Sequence, residues 1–138
     1  MNEDFGSAAA RHWDDAVVLF HANRFDNAAY LTGYVVECCL KALIQAAGMA
    51  PKPFSHDVAT LAGDVLLLAC TMAPSVRRYG VPSSPELGRL LNEWTPGMRY
   101  WPTGHVVRTA AGDWIRAAET VYRAILIERI LDGCTEVL

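Results

Sequence analysis

The 138-residue sequence predicts an all-α fold, an antiparallel up-down four-helix bundle with one additional short helix, folded as a single domain over residues 1–138. Three observations predict it. Apolar residues recur at helical spacing, about 100° per residue, in every long segment. No stretch alternates apolar and polar residues as a half-buried strand would. All seven prolines fall outside the interiors of the proposed helices.

The elements follow in order. Residues from about 6 to 22 form a first helix with Ala9, Trp13, Ala16, Val17 and Phe20 on its apolar face. His12 and His21 fall on its surface. Asn23 ends it, because Asn tolerates the left-handed conformation that terminates helices. Asp26 or Asn27 is placed to cap the next helix, and so short a turn makes the two helices antiparallel neighbours. The second helix runs to about Ala47 and stops at Gly48. It carries Ala28, Leu31, Val35, Cys39, Ala42 and Ala46, widened by Val36, Leu40 and Leu43, and is apolar nearly all round, which marks it as central.

Pro51 and Pro53 enforce a rigid connection. Ser55 or Asp57 caps a third helix with Val58, Leu61, Val65, Leu68 and Met72 at core spacing, ending near Pro74. His56, just before Asp57, reads as a helix-start residue. Residues 74–85 form a loop. Ser84-Pro85-Glu86 starts a helix of two or three turns with Leu87, Leu90, Leu91 and Trp94 on one face. Residues 94–105, with two prolines and two glycines, form another loop. The last helix starts between His105 and Thr109 and runs to about Asp132, with Ala110, Trp114, Ala117, Val121, Ile125 and Ile130 facing inward.

Composition narrows the function classes. The apolar fraction of 52 % is high for a chain of this length and points to a covered dimer face. No uninterrupted apolar run reaches membrane-span length, and the Met-Asn-Glu-Asp start lacks the basic region of a signal peptide, so a cytoplasmic protein without a membrane partner is expected. Cys38, Cys39, Cys70 and Cys134 have no ligand spacing and are expected to be small core residues in a reducing compartment. The net charge of −3 argues against a nucleic-acid binder that uses its whole surface. Charge is uneven, however: residues 77–116 hold six arginines against three acids, enough for a local positive face.

Two stretches carry the functional content. On the second helix Glu37 and Lys41 stand four apart, acid first, the better order for an ion pair on one face. Charges on an apolar helix are costly unless paired, so Glu37 is expected to be largely buried and bonded to a cation, either Lys41 or Arg99. The second stretch, Trp94-Thr-Pro-Gly-Met-Arg99-Tyr100-Trp101-Pro-Thr-Gly-His105, is richer in aromatic and cationic residues than a connector requires.

The run Ala28-Ala-Tyr-Leu-Thr-Gly-Tyr-Val-Val-Glu37-Cys-Cys-Leu-Lys41-Ala-Leu-Ile, with its lead-in Asn23-Arg-Phe-Asp-Asn, resembles the second helix of HEPN domains (higher eukaryotes and prokaryotes nucleotide-binding). Ser55-His56-Asp57-Val-Ala-Thr-Leu61 resembles the start of that family's third helix, and Trp94-Thr-Pro-Gly-Met-Arg99-Tyr100 resembles its Trp/Arg-Tyr loop. The resemblance spans roughly residues 8–130. It implies a four-helix up-down bundle, usually a homodimer. Many members are metal-independent ribonucleases, and others act with a nucleotidyltransferase partner in toxin–antitoxin pairs.

Family nucleases carry an Arg followed closely by a His near the last helix, which Arg99 and His105 match in type and spacing. Pro102 and Gly104 lie between them, so the two do not share one regular helical turn. For RNA cleavage, His105 would serve as base toward a ribose 2′-OH and Arg99 would meet the charge growing on phosphorus. Glu37, Lys41 and Tyr100 would support the site. Trp101 or Tyr100 would stack an unpaired base, and Arg108, at the start of the last helix, would meet phosphate. No metal and no cofactor is expected. The alternative from another class is a non-catalytic nucleotide- or protein-binding subunit serving a nucleotidyltransferase partner.

Overall fold

The structure, a computed structural model, describes residues 3–46, 48, 56–71 and 84–127, with side chains to Val65 in the third of these stretches. Its order is α1 (Phe5–His21), α2 (Phe25–Ala46), α3 (Val58–Thr71), α4 (Pro85–Glu93), a 3₁₀ turn (Pro96–Tyr100) and α5 (Arg108–Val121), which continues into a π-helical turn (Tyr122–Ile127). The fold is all-α, and no strand occurs among the described residues. The connections 49–55 and 72–83, with the expected Pro51, Pro53, Pro74, Gly80 and Pro82 features, lie outside them, as do Met72, Ile130 and the end of the last helix.

Local chemistry sets the boundaries. Asp4 caps α1 by accepting from the Ser7 amide at 2.9 Å. Asn23 takes φ 62° and ends α1, as its tolerance of the left-handed region predicts. Gly48 has φ 82° just past α2. Asp57 caps α3 through the Thr60 amide at 3.1 Å, and Ser84 caps α4 through the Leu87 amide at 3.1 Å with Pro85 behind it. Asp26 departs from expectation. It lies inside the first turn of α2 and uses its carboxylate on a distant loop instead of capping its own helix.

Helix α2 is the axis of the molecule and packs against α1, α3 and α5. Fourteen of its 22 residues are buried, among them Val35, Val36, Cys39 and Leu40 with no exposed surface. Burial of its apolar side chains, at about 1.5–3 kcal/mol for each large one, is what holds the surrounding helices to it. Leu31 is half-buried and Ala46 exposed, so the core stripe is shorter at both ends than its periodicity suggests. Cys38 and Cys39 are buried free thiols; burial pushes Cys38 up to about 12 and Cys39 upward as well, leaving both inert at neutral pH. Cys70 and Cys134 lie outside the described side chains.

The regular last helix ends earlier than expected. At Tyr122 the amide faces the carbonyls of both Ala118 and Glu119, and the chain widens into the π turn. Ile125 and Leu126 are both wholly buried there, and the Tyr122 ring stacks on Trp13 at 5.6 Å.

No helix among the described residues is long and apolar enough to cross a membrane.

Candidate nucleic-acid interface

A polar seam runs along α2 through Tyr30, Tyr34, Glu37 and Lys41, whose spacing of four, three and four keeps them on one helix face. Glu37 is 4 % exposed and Lys41 1 %. The Lys41 ammonium donates to Glu37 Oε2 at 3.4 Å and stands 5.5 Å from the Phe5 ring centroid. Of the two cations expected for Glu37, the structure places Lys41 there.

Sequence reading missed a second partner. His56 Nδ1 lies 2.7 Å from Glu37 Oε1, so the helix-start histidine closes the other side of the carboxylate. His12 is also more than a surface residue. It is half-buried with its ring 5.5 Å from that of Tyr34, and its buried Nδ1 has no hydrogen-bond partner. Desolvation, reinforced by nearby Arg11, lowers its pKa and keeps the imidazole neutral.

The upper end of the seam carries the 94–107 loop. Trp94 is buried, and its indole N–H donates to the Tyr30 carbonyl at 2.8 Å. The indole lies against Gly33, where a Cβ would overlap the ring atoms. The loop's far end is held by Asp26, which accepts from the Gly104 amide at 2.9 Å and the Val106 amide at 3.0 Å. Gly104 has φ 86° in a turn closed by the His105 amide on the Pro102 carbonyl, a position that needs a left-handed residue.

The two backbone hydrogen bonds from Val106 and Gly104 hold the Asp26 carboxyl below its ordinary range, with His105 adding to the effect. A lowered folded pKa means that this stabilisation is present above the unfolded value near 3.9 and is lost as pH falls through the folded one. Asp26→Ala is expected to remove about 1–2 kcal/mol of local stability, the scale of exposed charge-assisted hydrogen bonds. Hydrogen exchange should show the Gly104 and Val106 amides losing protection while amides in the middle of α2 keep theirs.

Between these anchors Met98 turns into the core and the residues from Arg99 to His105 are exposed. Tyr100 is 77 % exposed and Trp101 40 %. The Arg99 guanidinium stands 4.9 Å from the Tyr100 ring centroid, and Tyr100 together with Tyr30 raises its pKa further. His105 is exposed, with its ring edge-on to Trp101 at 4.8 Å. Arg108 opens α5 and lies over Phe20 and Phe25 at 5.8 and 6.0 Å. No side chain caps the start of α5.

Arg89, Arg116 and Arg123 pair with carboxylates, whereas Arg99 and Arg108 face aromatic rings. The structure thus brings Arg99, Tyr100, Trp101, His105 and Arg108 onto one loop and helix start. It keeps Glu37 and Lys41 beneath, in the core. Among the described residues no hydrogen bond or ion pair joins Arg99 to His105, or Glu37 to Arg99.

An all-α fold around a central helix with a buried acid–lysine pair, overlaid by an aromatic Arg/His loop, defines a class of helical domain that also stands out by sequence. The HEPN domain family model matches residues 3–130, nearly the whole chain, and the protein belongs to that family. No curated protein and no solved structure gives a match.

Proposed function

We propose that the 94–107 loop and the start of α5 form an RNA-phosphate site, and that the protein is a metal-independent ribonuclease, the toxin component of a toxin–antitoxin pair, acting as a homodimer through Arg99 and His105. The observation that carries this reading is the loop's construction. Both ends are anchored, by Trp94 against Gly33 and by Asp26 on two amides, while the span between them exposes Arg99 and His105 beside stacking aromatics. Rigid support under an exposed polar tip is what a binding loop requires.

In this mechanism His105 accepts the proton of a ribose 2′-OH, and the oxygen attacks the adjacent phosphorus. The bond to the 5′-oxygen breaks, that oxygen takes a proton from solvent, and a 2′,3′-cyclic phosphate remains. Arg99 forks onto the phosphoryl oxygens as charge grows there. The amides opening α5 and the Arg108 guanidinium add anion affinity. Trp101 or Tyr100 stacks a base. A two-fold dimer that brings two such loops together makes a cleft whose like charges repel until an anion lies between them.

A second reading has its own observation. Arg99 and His105 sit with different partners, the first beside Tyr30 and Tyr100 and the second beside Trp101 and Asp26. That arrangement suits a non-catalytic nucleotide- or protein-binding subunit for a nucleotidyltransferase partner. Incubation with single-stranded RNA in EDTA separates the two. The nuclease reading requires cleavage that Arg99→Ala and His105→Ala each reduce by about two orders of magnitude or more. Equal rates for wild type and His105→Ala would favour the binding subunit.

A further inference from the structure

Beside the Arg99 loop, between the start of α3 and the end of α4, lies a cleft of about 430 Å³ that the mechanism above does not use. It is within the size range of small-molecule sites. Trp94 and Pro96 give it an apolar wall, and His56, Asp57, Asn92 and Thr95 give it a polar one.

The polar wall is rich in acceptors. A carboxylate only accepts, so His56 Nδ1 donates to Glu37, and Nε2 is the ring nitrogen that remains. The Asn92 amide nitrogen donates to the Gly88 carbonyl at 2.8 Å, which leaves the amide oxygen for the cleft. Asp57 uses Oδ1 on the Thr60 amide and, as a carboxylate, has lone pairs beyond that one. A flat group with donors on its edge and an apolar face complements this lining. Guanine, adenine and cytosine each carry an exocyclic amino group with two N–H donors on that edge, whereas uracil has a single N3–H there, flanked by two carbonyls that would face the acceptors.

The cleft is also continuous with the loop. Pro96 on its wall and Arg99 stand three residues apart in one 3₁₀ turn, a rise of about 6 Å. A nucleotide whose phosphate meets Arg99 has its base within reach of the cleft.

We propose that this cleft is a base-binding subsite selective for amino-bearing nucleobases over uracil; its role in RNA recognition rests on the phosphate site proposed above. The test uses nucleosides, which lack phosphate and so do not depend on Arg99. Guanosine, adenosine, cytidine and uridine are titrated into the protein and followed by ¹H–¹⁵N NMR.

Saturable shifts are expected at Asp57, Asn92 and Thr95 with the three amino-bearing nucleosides, and binding of uridine about tenfold weaker or less, the scale of one well-placed hydrogen bond. Asn92→Ala, on an exposed helix face, should weaken binding about five- to tenfold. Ala59→Leu, at the cleft's rim, should abolish the shifts. Uridine binding as tightly as the others, shifts that survive Ala59→Leu, or no saturable shift at all would overturn the proposal. Arg99→Ala separates it from the nuclease reading: RNA cleavage should disappear while nucleoside binding stays. Nucleoside binding without any RNA cleavage by the wild type would overturn the nuclease reading alone.

Discussion

Gly33→Ala is expected to destabilise the protein by about 3 kcal/mol or more, at the upper end of what overpacking costs. In an ordinary helix interior the same change gains up to about 1 kcal/mol, because Ala loses less backbone entropy than Gly. Here the added Cβ would overlap the atoms of the Trp94 indole. Trp94 has little room to yield. It is 3 % exposed, its N–H is bonded to the Tyr30 carbonyl, and the Tyr34 ring meets it edge-on at 4.9 Å.

Gly63 and Gly88 provide the internal control. Both are helical, and a Cβ at either meets nothing within 4 Å, so their Ala variants should be neutral or slightly stabilising. Chemical denaturation of the three variants checks the contrast in sign. Because Trp94 also begins the Arg99 loop, Gly33→Ala should impair the RNA binding proposed for that loop even at temperatures where the protein remains folded.

Glu37→Ala is expected to cost about 3–5 kcal/mol, the range for removing one member of a buried ion pair. The carboxylate sits between Lys41, 1 % exposed, and His56, and its loss takes a neutralising charge from an ammonium in the core. Replacing both partners, as in Glu37→Ala with Lys41→Met, should recover much of that loss, because an apolar pair of similar volume needs no compensation. A measured ΔΔG under about 1 kcal/mol for Glu37→Ala would mean that water screens the pair, as at a surface salt bridge.

These two sites show what was legible in the sequence and what was not. The burial of α2 followed from its periodicity, and the Glu37–Lys41 pair from a four-residue spacing, because both are local to one helix. The Asn23 stop and the Ser84-Pro85 start were equally local. The Gly33–Trp94 contact joins residues from two elements. Its one trace in the sequence was a glycine inside an apolar helix, the usual mark of a close backbone approach.

His56 escaped for a different reason. A His-Asp pair before a helix is explained well enough by the Asp57 cap, so nothing in the local pattern required a partner on α2. The Asp26 bonds to Gly104 and Val106 span about 80 residues and leave no periodic signal. At the candidate site, residue types and exposure could be anticipated from Arg99 through Arg108. The separate surroundings of Arg99 and His105 could not, since they depend on the 3₁₀ turn and on where Asp26 holds the loop.

The most direct measurement is the chemistry of the RNA ends formed in EDTA. With His105 as base toward the ribose hydroxyl, the account predicts 2′,3′-cyclic phosphate and 5′-hydroxyl ends, and no cleavage at a position carrying 2′-deoxyribose. Ends bearing 5′-phosphate, continued cleavage at the deoxy position, or no cleavage of all-ribose RNA would contradict it.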